Sequence, residues 1–191
     1  MEEIIEKDAV RERLIIAGIR ELEEHGLNDF SLRRVAVACE VSCAAPYRHF
    51  KSKDDLILSI IRHINRQWML LFNQILAAFP NNVRMQLIEG AVAYIRFWIA
   101  NPNFRSILLW ERLPLDGTDF SERRAINESI EHLIHSYCEQ KALSADRERM
   151  ISFSVRSVVY GTVLLLGNGE LEHTAENMRM IRARIEQELP Y

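Results

Sequence analysis

Residues 31–56 read SLRRVAVACEVSCAAPYRHFKSKDDL, and this stretch decides the fold of the first part of the chain. Ser31 is a residue type that caps helices, and the apolar residues within 32–36 have helical spacing, so a short helix is predicted there. A further short helix is predicted over 43–50, where Pro46 is tolerated because the amides of a first helical turn lack partners anyway. Two short helices joined by a tight turn form a helix-turn-helix.

Both flanks of this motif have the three- and four-residue apolar spacing of amphipathic helices. The preceding helix covers 4–25 and is stopped by Gly26, a common C-terminal cap. Ser52 with Asp55 three residues later matches a capping box, which predicts a new helix start. This fourth helix continues until Pro80, so its length is roughly 40 Å. It therefore ties the motif to the rest of the chain.

The remaining chain contains helical patterns only. We find no sustained alternation of apolar and polar residues, which strands of roughly four to eight residues would need. Helices are predicted over 84–100, 104–113, 120–141, 145–166 and 174–188. The predicted fold is all-α with about nine helices. A three-helix head, residues 1–51, is joined by the long fourth helix to a larger helical domain, residues 52–191.

Composition indicates a cytoplasmic protein without a membrane span. The 191 residues are 48% hydrophobic and 27% charged, which is typical of globular proteins. The chain begins MEEIIEKD, without the features of a secretory signal, and its most apolar run, 158–166, is shorter than the roughly 20 residues that cross a bilayer. Cys39, Cys43 and Cys138 form no paired framework, so reduced thiols are expected.

Positive charge is concentrated in the helix-turn-helix. The formal net charge of the whole chain is -3. Between Ser31 and Lys53, five basic residues face one acidic residue, Glu40, so this segment carries +4 and the remainder -7. The five are Arg33, Arg34, Arg48, Lys51 and Lys53. A basic segment on an acidic body predicts local, oriented binding to nucleic-acid phosphates.

The third predicted helix offers residue types that suit a DNA groove. Its first residues are small, which permits close approach to base edges, and they are Cys43, Ala44 and Ala45. Tyr47 and His49 can donate hydrogen bonds to phosphate, and Lys53 adds charge beside a helix N-terminus that itself attracts phosphate. Arg48 or Arg33 can donate two parallel hydrogen bonds to a guanine edge.

These motifs resemble the DNA-binding domain of TetR-family transcriptional regulators. The usual pattern of that family is a Ser/Thr cap, a V/I-A pair, G-V-S, then Y-x-H-F and S-K-x-x-L. The matching elements here are Ser31, VA at 35–36, VS at 41–42, YRHF at 47–50 and SKDDL at 52–56. Glu40 stands where the turn usually has Gly, so the turn must accommodate a non-glycine residue or shift slightly. With the first helix, the resemblance covers about the first third of the chain.

The resemblance implies a set of DNA contacts. In that family the residues matching Tyr47, His49 and Lys53 contact phosphate, while the second helix and the start of the third read bases. The candidate DNA-binding residues are Ser31, Arg33, Arg34, Ser42, Cys43, Ala44, Ala45, Tyr47, Arg48, His49 and Lys53. Phe50 is expected to fill the core of the head instead.

The resemblance also implies a homodimeric repressor. Such a dimer pairs through its last two helices and holds a double-stranded, palindromic DNA operator until a small-molecule effector in the larger domain changes the spacing of the heads. The helix over 145–166 is apolar nearly all round in its second half, which suits a helix between its own core and a partner. The candidate interface residues are Ser157, Gly161, Leu164, Met178, Ile181 and Ile185.

Six residues of the larger domain are candidates for an effector pocket, because such pockets combine aromatic walls with few polar groups. They are Trp68, Phe72, Tyr94, Trp98, Trp110 and Arg156. Aromatic residues at helical spacing are more often ordinary core residues, and the sequence leaves both interpretations open. Arg156 either meets an acidic ligand or pairs with a nearby glutamate, since a buried charge needs a partner.

The sequence predicts neither an enzyme nor a metal site, and no cofactor is expected. It lacks a Gly-rich phosphate loop and a Ser/His/Asp arrangement. His132 and His135 lie three residues apart but have no convincing second pair of metal ligands. Two alternatives stay open: a regulator controlled by a protein partner, and a helical enzyme or carrier whose basic segment docks an acidic partner.

Overall fold

The computed structural model describes residues 2–104 and 121–189. Within them it contains eight α-helices, one short 3₁₀ turn at Pro102–Phe104 and no strand. The helices are α1 (Glu2–His25), α2 (Leu32–Ala38), α3 (Pro46–His49), α4 (Lys53–Ala78), α5 (Val83–Ala100), α6 (Ser121–Gln140), α7 (Ala145–Gly167) and α8 (Ala175–Gln187). The all-α prediction is confirmed. The helix predicted over 104–113 lies, apart from its first residue, outside the described residues.

Side-chain caps explain where most of these helices begin. A hydroxyl or amide oxygen just before the helix accepts a hydrogen bond from a first-turn amide, which satisfies one of the unpaired N–H groups there. The capping residues are Ser31, Ser52, Asn82, Ser144 and Thr174, before α2, α4, α5, α7 and α8. At α4 the Asp55 carboxylate in turn accepts from the Lys51 amide, so the predicted capping box closes one residue further out.

The chain divides into two compact units, Met1–Arg66 with Asn103–Arg123 and Gln67–Pro102 with Arg124–Tyr191. The division falls within α4, after Arg66. The predicted boundary between a head of residues 1–51 and a domain of residues 52–191 stays a prediction.

In the first unit, α1 packs against α2 and α3. Phe50, directly after α3, is 2% exposed, so the prediction that it fills the core of the head is confirmed. Gly18 lets α1 approach α4 closely, because a Cβ atom at this position would lie 2.8 Å from Cδ1 of Ile60. A fully buried side chain of the size of Phe50 or Ile60 contributes about 1.5–3 kcal/mol to stability.

In the second unit, α5 packs against α7 and α8, which also pack against each other. The buried side of α7 carries Ile151, Val155, Val159 and Val163. By length and composition alone α7 is also apolar enough to cross a membrane. However, α7 packs against two neighbouring helices and carries Arg156 within its length, as helices of globular domains do. We therefore conclude that it is not a membrane span.

Candidate nucleic-acid interface and effector site

The turn between α2 and α3 is built on a left-handed residue. Glu40 has φ 56°, a region that side-chain-bearing residues rarely adopt. The Glu40 amide donates to the carbonyl of Val37 (3.0 Å) and the Val41 amide donates to the carbonyl of Ala36 (3.1 Å), which is the Schellman pattern of a helix C-terminus. The turn thus keeps its geometry without the glycine usually found there, and the strain falls on Glu40.

The third helix is shorter than predicted. It begins at Pro46, whereas the sequence indicated a start at Cys43, and residues 43–45 form a turn instead. Pro46 has no N–H to donate to the carbonyl of Ser42. The Ala45 amide donates to this carbonyl instead, at 2.8 Å, and closes a turn that is one residue shorter than a helical turn. The small residues proposed for base reading therefore lie in the turn that leads into α3.

The predicted contact residues of α3 differ in exposure. Tyr47 is 63% exposed and Arg48 is exposed, while His49 is half-buried. Behind them the buried Phe50 ring lies 6.3 Å from the His49 ring and carries the Arg11 guanidinium 5.1 Å above it. The buried phenylalanine therefore fixes the short helix, and the tyrosine next to its start stays available to an outside partner.

The basic residues of the helix-turn-helix divide into two groups. Arg34 and Lys53 are bound within the molecule, as described below, whereas the other three are exposed and have no ion pair among the described residues. We call these three, Arg33, Arg48 and Lys51, the open cations. They are the residues whose charge a phosphate or a base edge can meet without displacing an internal partner.

Glu21 of α1 organises the start of α2, and the sequence analysis missed it. Its carboxylate is 6% exposed, accepts from the Ser31 amide at 3.0 Å and pairs with the Arg34 guanidinium at 2.6 Å. The hydrogen bond to Glu21 is the main cause that raises the pKa of Arg34 above its ordinary value. Glu21 lies seven residues after the buried Leu14, and an acidic residue on an apolar helix face was the available signal.

Lys53 also has an internal role. Its ammonium donates to the carbonyl of Leu27 at 2.8 Å and lies 5.8 Å from the centre of the Phe30 ring. It thereby holds the loop between α1 and α2 against the start of α4. The remaining predicted contact residues of the turn, Ser42, Cys43 and Ala44, are exposed, and Ala45 is half-buried.

In the second unit, four of the six candidate pocket residues form one buried aromatic cluster. Trp68 lies at its centre, with ring centroids 5.6 Å from Phe72 and 5.4 Å from Tyr94, and Tyr94 lies 5.9 Å from Trp98. All four are at most 5% exposed. The Trp68 indole N–H donates to the Ser129 hydroxyl at 2.9 Å, as a buried donor should. Trp110 lies outside the described residues.

A small cavity of about 20 Å³ adjoins this cluster and is lined by Tyr94, Ile130, Arg156, Val159 and Tyr160. Its volume is that of about one water molecule. Burial raises the pKa of the Tyr94 hydroxyl well above its ordinary value, so this group is a neutral donor at the cavity wall.

Two polar side chains mark the surroundings of this cavity. Trp98 is the neighbour of Tyr94, and its buried indole N–H makes no hydrogen bond of normal geometry among the described residues, although it lies close enough to the Tyr94 hydroxyl to offset part of the rise in the pKa of that group. Arg156 pairs with Glu131 at 2.8 Å and lies 5.8 Å from the Tyr160 ring centre. Arg156 thus forms the expected ion pair, and because it also lines the cavity, its contact with an acidic ligand stays a prediction.

The match to known proteins agrees with the geometry of the head. Residues 14–60 match the family model described as bacterial regulatory proteins, tetR family. The N-terminal domain of this chain belongs to the TetR family. The match covers the second half of α1, all of α2 and α3 and the first turns of α4, a stretch that carries the buried Glu21 carboxylate, the strained turn and the exposed Tyr47.

Solved structures show that the fold of nearly the whole chain is also found in other proteins. A TetR-family transcription regulator from Marinobacter aquaeolei VT8 matches with a TM-score of 0.76 and 16% identity, covering 99% of this chain and 98% of that one. The regulator FadR from Bacillus subtilis in complex with stearoyl-CoA matches with a TM-score of 0.68 and 13% identity, covering 93% and 96%. The multidrug binding protein EbrR complexed with malachite green gives 0.63 and 19%, covering 95% and 98%.

The candidate dimer residues do not share one environment. Ser157 and Leu164 on α7 are exposed, and Gly161 is half-buried with open space beside its Cα atom. The three candidates on α8 are instead buried within the chain, which places them in the protomer core and out of reach of a partner: Met178 6%, Ile181 4% and Ile185 0% exposed.

An exposed apolar stripe runs along α7 and is joined by one methionine of α8, and of its members the sequence analysis named only Leu164. Its members are large hydrophobic side chains, namely Met150 (57% exposed), Phe153 (71%), Leu164 (42%) and Leu165 (42%), with Met180 (55%) on α8. We call this set the apolar face. The surfaces of monomeric proteins rarely expose several large apolar side chains together, so a patch of this kind indicates an interaction surface.

No group of three or more potential metal ligands occurs among the described residues. The exposed His135, considered as a ligand in the sequence analysis, instead contacts Glu148 through Nδ1 at 2.9 Å.

Proposed function

We propose that this protein is a ligand-responsive transcriptional repressor of the cytoplasm that holds a palindromic DNA operator as a homodimer and releases it when a small molecule binds. The observation that carries the proposal is the exposure of Tyr47 and the open cations on a head of TetR type. A helix-turn-helix places its second helix in the major groove, where such residues meet phosphates and base edges.

The apolar face supports the homodimer. A palindromic operator needs two heads about 34–36 Å apart, which one head on a monomer cannot provide. Phe153 and Leu164 lie eleven residues apart on α7, so they stand on the same side of the helix about three turns from one another. A second copy of α7 covering this side would bury side chains that solvent otherwise contacts.

The aromatic cluster supports an effector with an apolar body and a hydrogen-bond acceptor. Its buried Trp98 N–H makes no hydrogen bond of normal geometry among the described residues, although the Tyr94 hydroxyl lies near it, and an acceptor atom on a ligand would satisfy it. The cavity of about 20 Å³ must widen to admit such a molecule, so binding would move the helices that line it. Two solved structures of the same fold are complexes with stearoyl-CoA and with malachite green, both of which have large apolar parts.

Selection of bound sites from random duplex DNA at fixed salt tests the proposal. We expect a palindrome whose half-sites are centred about one helical turn apart. Arg33→Ala should relax the selected sequence, because a bidentate contact to guanine discriminates by about 1–3 kcal/mol. Tyr47→Phe should weaken binding to every duplex alike, since a phosphate contact carries no sequence information.

Arg149→Gln is the matched control. Arg149 is an exposed arginine of α7, 76% exposed, and pairs only with the equally exposed Asp146 among the described residues. Its loss changes the charge by the same amount as a head variant but leaves the head intact. Selection of no common sequence, or an equal loss of binding from Arg149→Gln and Arg48→Gln, would contradict the proposal.

A further inference from the structure

A second concave site lies between α5 and α8, away from the aromatic cluster. It is an open groove of about 510 Å³. The buried Val92 and Met178 form its floor, at 3% and 6% exposure. Its residues on α5 are Glu89, Val92 and Arg96, which recur every three or four positions and so lie on one side of the helix.

Three arginines line this groove against one carboxylate. They are Arg96 of α5 with Arg179 and Arg182 of α8, and the carboxylate is Glu89, so the lining carries +3 and -1, a net +2. The whole chain is acidic, with 27 Asp and Glu against 24 Lys and Arg. An anion-binding surface needs a local excess of positive charge, whereas an ordinary solvent-exposed surface of an acidic protein does not.

The three arginines are not equivalent. Arg182 is held in place by Glu89, with N–O distances of 2.8 and 3.1 Å, and also pairs with Glu186. Arg96 and Arg179 are exposed and have no carboxylate partner among the described residues. Guanidinium groups from two helices that share one groove repel each other, and an anion between them removes that cost.

The start of α8 adds further donors at one end of the groove. Thr174 and Ala175 line it, and the Thr174 hydroxyl caps the helix by accepting from the Asn177 amide at 3.1 Å. The free amides of the first turn and the positive end of the helix dipole favour an anion at this point. The imidazole of His173 lines the same end.

We propose that this groove binds a phosphate-bearing small molecule, with Arg96 and Arg179 as the phosphate-binding residues and with Arg182, held by Glu89, as a fixed part of the wall. A phosphate monoester carries up to two negative charges at neutral pH, which matches the two positive charges of Arg96 and Arg179. Its oxygens point in several directions and accept from planar arginine forks on two sides. The site lies on the side of α5 away from Tyr94 and Trp98 and does not depend on the proposed repressor function.

Titration calorimetry on the full chain tests this site, with pyrophosphate as the probe and potassium chloride holding the ionic strength constant. We expect saturable binding that weakens by about tenfold or more in Arg96→Gln and in Arg179→Gln, since each removes charge-assisted hydrogen bonds. Arg179→Lys keeps the charge and should lose less, because lysine cannot form the fork. Arg149→Gln on α7 removes the same charge outside the groove and should leave the affinity unchanged.

Two further measurements identify the kind of phosphate that binds and the location at which it binds. Inorganic phosphate and glycerol 3-phosphate are titrated next, and tighter binding of the ester assigns the site to an organic phosphate while tighter binding of the free ion assigns it to inorganic phosphate. Arg48→Gln tests the competing location, because the head also carries open cations. The proposal is overturned if no saturable binding is seen, if Arg48→Gln abolishes it, or if the folded Arg96 and Arg179 variants bind like the unmodified protein.

Discussion

Replacing Glu40 by glycine should stabilise the protein, because the backbone at this turn has a conformation that suits glycine. Glu40 has φ 56° and is fixed there by the two hydrogen bonds of the Schellman turn. A side-chain-bearing residue in this region costs about 1–2 kcal/mol. Glycine avoids that cost but loses about 0.5–1 kcal/mol more conformational entropy on folding. The net gain is about 0.5–1 kcal/mol, or a rise in Tm of about 1–4 °C for a chain of this size.

The matched control is Glu40→Ala, which removes the same carboxylate but keeps a Cβ atom in the strained region. Any effect of charge is shared by both variants, so the difference between them measures the backbone alone. Since two compact units need not unfold together, amide hydrogen exchange across 36–41 is measured beside the thermal transition. Stronger protection and a higher Tm are expected for the glycine variant than for the alanine variant. Equal values for the two would refute the reasoning.

Three other predictions concern contacts that the structure reveals. Lys53→Ala should lower the unfolding free energy of the first unit by about 1–2 kcal/mol in urea titration, because its charged hydrogen bond to the Leu27 carbonyl is lost; an unchanged midpoint would contradict this. The Glu148 contact raises the pKa of His135 above its ordinary value, so the pair stabilises the fold at low pH and the stabilisation is lost as the pH rises through the raised pKa. The gap in urea midpoint between the unmodified protein and His135→Ala should therefore shrink from pH 5 to pH 9, and a constant gap would exclude the ion pair. Phe153→Glu should convert a dimer into folded monomers in sedimentation analysis, whereas a monomeric parent protein would remove the role of the apolar face.

Local signals in the sequence were enough to predict the helices but not every boundary. The caps at Ser31 and Ser52 were predicted correctly, because a capping residue acts through the few amides that follow it. The start of α3 was wrong by three residues. Its position depends on which amide reaches the Ser42 carbonyl once Pro46 cannot, and that competition is decided by the geometry of the turn.

Periodicity shows which residues of a helix share a side but not what covers that side. Met178, Ile181 and Ile185 form a stripe on α8 that suits a partner helix as well as a protomer core. In the structure this stripe is buried against the rest of the second unit. The apolar face of α7 lies outside the core, and its largest member, Phe153, stands between Ser152 and Ser154 in the sequence. Only the packing of α5, α7 and α8 separates the two roles.

A count of basic residues in the sequence overstates how many positive side chains of the head are free to contact phosphate. The sequence gives five basic residues between Ser31 and Lys53, but the Glu21 carboxylate compensates Arg34 and the Leu27 carbonyl binds Lys53. If the three open cations alone neutralise phosphates, the logarithm of affinity should fall with the logarithm of salt concentration at a slope of about -2.7 per head, against about -4.5 for all five. For a dimer the two values double, to about -5.4 and about -9, which a titration of salt against operator affinity separates easily. A slope near the larger value would mean that Arg34 and Lys53 leave their internal partners when DNA binds, and that the head rearranges on its operator.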